Sequence, residues 1–187
     1  FVDGGVDVLH ASQRRYWDWS LRMASESYRT FCGTSPQTQL FGLRAALDML
    51  LEEGLANVFA RHKRLAQATR LAVTHWGQAG TMELNAINPE QQADGVTTIL
   101  LKEGVDGTKI RDVCRDEFQC ALGGGLRNLS GKAFRIGHMG DMNEPMLYGA
   151  LASVEATFAY LNVPYTPGGV TKAIDHLVDC RKQAGKA

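Results

Sequence analysis

The chain has 187 residues, enough for one ordinary domain, with 44 % hydrophobic and 21 % charged residues. Its 20 basic and 20 acidic residues cancel, so no strong positive field is available for nucleic acid or an anionic membrane. No apolar run reaches the length needed to span a bilayer.

The first residues, Phe1-Val2-Asp3-Gly4-Gly5, do not start with methionine and read like a chain joined in mid-course. Residues 12–27 carry Tyr16, Trp17 and Trp19 among charges and are expected to be helical. Cys32-Gly33-Thr34-Ser35-Pro36 is a loop, with Ser35 placed to cap a helix and Pro36 at its first position. Leu40, Leu43, Leu47, Leu50 and Leu51 recur at helical spacing. Gly54 interrupts the pattern, which resumes at Leu55, Val58, Leu65, Thr69, Ala72 and Trp76 and stops at Gly77. The basic run Arg61-His62-Lys63-Arg64 within it reads as a solvated helix face.

The period then changes. Met82 to Leu84 and the β-branched Val96 to Leu101 read as strands, with a polar loop from Asn88 to Asp94 between them. Thr108 to Asp116 is expected to be a helix and Phe118 to Leu122 a strand. A glycine loop follows, Gly123-Gly124-Gly125, then a strand from Ala133 to Ile136. Asn143 can cap a helix running to about Leu161, and Pro164 and Pro167 precede a last helix from Val170 to Gln183. This order predicts an α+β fold, a small antiparallel sheet with helices on one face.

The chemistry concentrates at Arg135. An arginine in an apolar strand beside glycine loops needs an anion, and a carboxylate matches its fork through two charge-assisted hydrogen bonds. That anion is either an internal Asp or Glu or a bound ligand. His138, Asp141 and Glu144 could be drawn as a metal site, but Asp141 and Asn143 are better read as helix-start residues, and Glu144 complements the helix dipole. Cys32, Cys114, Cys120 and Cys180 lack the paired spacing of a zinc site. Four such cysteines fit a reducing compartment, and Cys114 and Cys120 fit as small packing residues.

Gly131-Lys132-Ala133-Phe134-Arg135-Ile136-Gly137-His138-Met139-Gly140-Asp141 resembles the end of the class V aminotransferases, in the serine–glyoxylate and alanine–glyoxylate group. The resemblance extends through Gly42 to Asp48, Glu52 to His62 and Ala68 to Val73, in order, and covers roughly residues 15 to 165. It implies the small C-terminal α+β domain of a fold-type I pyridoxal-phosphate enzyme. On that basis residues 1–35 are the tail of the large cofactor domain, 36–77 linking helices and 78–187 the small domain. It further implies a homodimer that uses pyridoxal 5′-phosphate to move an amino group from a small amino acid to glyoxylate or a similar 2-oxo acid.

In that family the arginine at position 135 grips the substrate's α-carboxylate. Thr34 matches a threonine that bonds the phosphate of the neighbour's cofactor, and Phe31 stands where some members carry a tyrosine. No lysine here has the context of the Schiff-base lysine, which is expected upstream of Phe1. Lys132 falls at the family's Gly-Lys position and reads as structural. Two alternatives remain: a lyase or cysteine desulfurase of the same class, with Cys120 as a candidate nucleophile, and a non-catalytic dimerisation or binding module. The ending Gly185-Lys186-Ala187 is not a peroxisomal signal, so the expected location is the cytoplasm.

Overall fold

The computed structural model describes residues 33–185 together with Trp19, Ser20, Arg22, Met23, Thr30 and Phe31. The helix expected over residues 12–27 falls largely outside them. The chain divides into two units, residues 1–54 and 55–187.

The first unit is dominated by helix α1, Gln37–Glu53. It begins one residue later than expected. Pro36 occupies the cap position, no side chain caps the helix, and the Ser35 carbonyl accepts from the Gln37 amide at 2.8 Å. Pro36 lacks an N–H and suits a helix start, but Ser35 lies one residue too early to cap. Gly54 closes the helix at φ 81°, where its amide reaches the Leu50 carbonyl. That conformation favours glycine.

The second unit holds everything else. Helix α2 spans Leu55–Trp76 and buries Leu65, Ala68, Thr69, Ala72, Val73 and Trp76 along one stripe. Strands β1 (Met82–Leu84) and β2 (Val96–Leu101) follow, as their β-branched and aliphatic residues predict. Helix α3, Gly107–Asp116, is capped by Asp106, whose carboxylate accepts from the Thr108 and Lys109 amides. Strand β3 is only Gly123–Gly124, and β4 is Ala133–Gly137. Helix α4, Glu144–Tyr160, is capped by Asn143 through the Met146 amide, and α5 is Gly169–Ala184.

The sheet is antiparallel throughout, in the order β1-β2-β4-β3. Ile99, Phe134 and Ile136 share one core with residues from α2, α3, α4 and α5, so the helices cover a single face, as expected. Phe134 and Trp76 both meet Phe158 edge-on, at centroid distances of 6.2 and 5.4 Å. Burying each such side chain contributes roughly 1.5–3 kcal/mol.

Two expectations fail. Phe118 to Leu122 is not a strand. Gln119 takes φ 53° and the Cys120 amide returns to the Cys114 carbonyl, so this stretch closes α3 instead. The basic run on α2 is not a purely solvated face. Arg61 donates to the Gly140 and Met142 carbonyls, His62 meets the Gly140 carbonyl, and Arg64 lies 3.6 Å from Glu144. The loop before α4 and the first residue of that helix bring acceptors to these cations that sequence distance conceals.

One carboxylate ties three helices together. Glu155 of α4 accepts from the Trp76 indole at the end of α2 and from the Gly168 and Val170 amides at the start of α5. Gly169 is bare because any side chain there would overlap the Trp76 ring. Glu155→Ala removes all three acceptors and leaves the part-buried donors unpaired. It should lower unfolding free energy by about 2–4 kcal/mol, read from urea denaturation followed by tryptophan fluorescence.

Candidate carboxylate-binding site

Arg135 occupies the middle of β4, opposite Thr98 of β2 and Gly123 of β3. Successive strand residues face opposite sides. Phe134 and Ile136 therefore point into the helices, and Arg135 points to the uncovered face. Its Nε donates to the Gly124 carbonyl at 2.8 Å. A β-carbon built on Gly123 would lie 3.2–3.5 Å from Cβ, Nε and Nη2 of Arg135. The guanidinium thus lies along β3, in room that glycine leaves.

Among the described residues no aspartate or glutamate pairs with this guanidinium; its one hydrogen bond is to Gly124. The internal ion pair weighed above is absent from them. Nε is committed and both Nη groups remain available, so a planar carboxylate can dock end-on, one oxygen to each terminal nitrogen. Thr98, the cross-strand neighbour, lines a cavity of about 160 Å³ with Arg70, Asn85 and Gln92. The glycine segment, expected as a loop, instead lends two of its three residues to the sheet, where they pair with β4.

The first unit carries Phe31 and Thr34, both exposed. The second carries Arg135. Lys132 is exposed, and its carbonyl accepts from the Leu101 amide. It stands three residues from Arg135, about 10 Å along an extended chain. Cys120 is half-buried against the helix-side core. The neighbouring Cys114 thiol holds the Cys120 pKa down to about 7, with a smaller effect from the Ser153 hydroxyl and against the opposing effect of burial. Cys120 and burial together push the Cys114 thiol well up. Cys120 therefore sits on the side of the sheet away from Arg135, which disfavours the desulfurase alternative.

Both ring nitrogens of His138 are engaged by the protein, and no metal-binding cluster occurs among the described residues. The histidine is fully buried at the end of β4. Its Nδ1 meets the Asp94 carbonyl at 3.0 Å and its Nε2 meets the Thr97 hydroxyl at 2.9 Å. A carbonyl only accepts, so Nδ1 carries the proton and Nε2 accepts from Thr97. Glu144, three residues past Asp141, instead pairs with Arg181 at 2.8 Å. Sequence reading missed Arg111 of α3, whose Nε donates to the Leu122 carbonyl at 3.1 Å just before β3.

A short antiparallel sheet with helices on one face and a strand arginine on the other is the arrangement of the small domain in fold-type I aminotransferases, which the solved structure below shares. No family model matches the chain. A serine–glyoxylate aminotransferase from Methylorubrum extorquens is 44 % identical over 165 residues, 88 % of this chain and 40 % of that protein. An L-aspartate–glyoxylate aminotransferase from Paracoccus denitrificans is 39 % identical over 144 residues, 76 % of this chain and 35 % of that protein. The crystal structure of ureidoglycine–glyoxylate aminotransferase from Bacillus subtilis matches with a TM-score of 0.67 at 28 % identity, over 74 % of this chain and 35 % of that one. The chain is homologous to the C-terminal part of class V aminotransferases of the serine–glyoxylate group. It spans about two fifths or less of the length of these relatives. No described helix is long and apolar enough to cross a membrane.

The buried imidazole has a measurable consequence. Burial pushes His138 down to about 4 from an ordinary 6.5, the Asp94 carbonyl opposes this, and the charges of Arg70 and His62 add to it. Below pH 6.5 the unfolded chain takes up a proton that the folded chain refuses. Stability should therefore fall by about 2–3 kcal/mol between pH 6.5 and pH 4 and level off below. Urea denaturation across that range checks it, and His138→Gln should flatten the profile.

Proposed function

We propose that this chain is the carboxylate-gripping portion of a pyridoxal-phosphate aminotransferase that moves an amino group from a small amino acid to glyoxylate or a similar 2-oxo acid. The observation that carries the reading is the guanidinium of Arg135, fixed at Nε by Gly124 and with no partner at either Nη group among the described residues. The relatives' names support it. Serine, aspartate and ureidoglycine differ as donors, while glyoxylate recurs as the acceptor. A fork that reads only a carboxylate suits that pattern, with donor choice made elsewhere.

Aminotransferases of this class use pyridoxal phosphate, which acts as the electron sink when bound. The residues described here do not by themselves make a site for it. They offer the Thr34 hydroxyl and the Phe31 ring, but no lysine beside Arg135. In our reading Thr34 bonds the phosphate of a neighbouring subunit's cofactor, with Phe31 beside it, so the working unit is a homodimer.

Arg135 has three tasks in this reading. It neutralises the substrate carboxylate, fixes that group's plane, and so sets the direction of the α-C–H bond. Amino acid and oxo acid each carry a carboxylate and use the same fork in turn.

Steady-state kinetics with serine and glyoxylate, on the full-length enzyme carrying this chain, test the reading. Arg135→Lys keeps the charge and loses the bidentate geometry. It should raise both KM values ten- to a hundredfold, corresponding to about 1.5–3 kcal/mol. Unchanged KM values for both substrates would overturn the assignment. Gly123→Ala places a methyl against the guanidinium and should raise both KM values several-fold and lower kcat, as the tilted fork turns the α-C–H bond.

A further inference from the structure

The Arg135 fork is only as well placed as the strand that holds it, and that strand is weak. β3 has two residues, both glycine, and pairs with β4 on one side only. Glycine supplies no side chain to pack and loses the most freedom on ordering. The Gly124 carbonyl, which fixes Arg135, sits at the end of this segment. Something else must hold it still.

Arg111 is placed to do so. It projects from α3, on the helix side of the sheet, between the buried Ile110 and the nearby Cys114. Its Nε donates to the Leu122 carbonyl at 3.1 Å. A β-carbon built on Gly124 would fall 2.9 Å from its Nη1 and 3.1 Å from its Cζ. Gly123 and Gly124 alternate across the pleat. Arg135 therefore lies over Gly123 on the open face while Arg111 lies under Gly124 on the covered face. The two glycines are bare for two different arginines.

We infer that Arg111 is a positioning residue: by clamping Leu122 and Gly124 from below, it sets the carbonyl that orients Arg135 and so tunes affinity for the substrate carboxylate. This rests on the reading of Arg135 as the carboxylate grip. The action is geometric. A displacement of well under 1 Å at the Gly124 carbonyl turns the Arg135 plane and misaligns a bidentate pair.

The test uses the full-length enzyme with serine as donor, glyoxylate as acceptor, and glycolate as a competitive inhibitor that has a carboxylate and no amino group. Arg111→Gln should raise the KM for serine and the Ki for glycolate in parallel, about tenfold, with a smaller fall in kcat than Arg135→Lys causes. Arg111→Lys keeps the charge but loses the flat group under Gly124, and should give most of the same rise. Gly124→Ala disturbs the clamp from the other side, should reproduce the phenotype, and serves if Arg111→Gln does not fold. Added to Arg135→Lys, Arg111→Gln should cost less than a further twofold in KM.

A KM and Ki that stay at the wild-type values in Arg111→Gln and Gly124→Ala, while Arg135→Lys raises both, would overturn the positioning role and leave the grip intact. So would a fall in kcat or melting temperature alone. Full recovery in Arg111→Lys would assign the effect to charge and equally overturn it. If Arg135→Lys itself changes neither constant, the parent reading fails, and this inference with it.

Discussion

Alternation along β4 governs this domain. Phe134 and Ile136 are buried among the helices, which obliges Arg135 to emerge on the other side. A shift of one residue would drive a guanidinium into the aromatic contacts around Phe158 and turn two large apolar groups to the open face. The cost of either is several kcal/mol. The packing of Phe134 against Phe158 therefore does more than stabilise the sheet. It makes the facing of the arginine a condition of folding.

The same division of faces sorts the other polar groups. On the helix side each one is tied to a structural duty. Glu155 holds the end of α2 and the start of α5, His138 latches β4 to the Asp94–Thr97 segment, and Glu144 pairs with Arg181. On the open side Arg135 keeps two of its three nitrogens uncommitted among the described residues. A planar donor set held at Nε and open at its two terminal nitrogens is shaped for a carboxylate, which is what the proposed role uses.

Much of the architecture was legible in the residues. β1 and β2 announce themselves by aliphatic and β-branched runs, α4 by Asn143 at its cap, and the break between α1 and α2 by Gly54. Arg135 could be named because its neighbours form a distinctive pattern. Other features were not legible, for identifiable reasons. Gly123-Gly124 carries the lowest strand propensity available, and only pairing with β4 makes it a strand. Phe118 to Leu122 has strand-like composition, yet its amide hydrogen bonds return to α3. Arg111 lies thirteen residues from the glycine that admits it, and no local spacing connects the two. Arg61 looked solvated because its acceptors are the carbonyls of Gly140 and Met142, which only the fold brings near.

The brevity of β3 has one more consequence. It ends the sheet on one side, and a sheet margin with long runs of free amides and carbonyls invites foreign strands. Two side-chain-free residues, flanked above and below by cationic groups, make a poor template for such pairing. The features that aim the guanidinium therefore also leave little free backbone at this margin of the sheet.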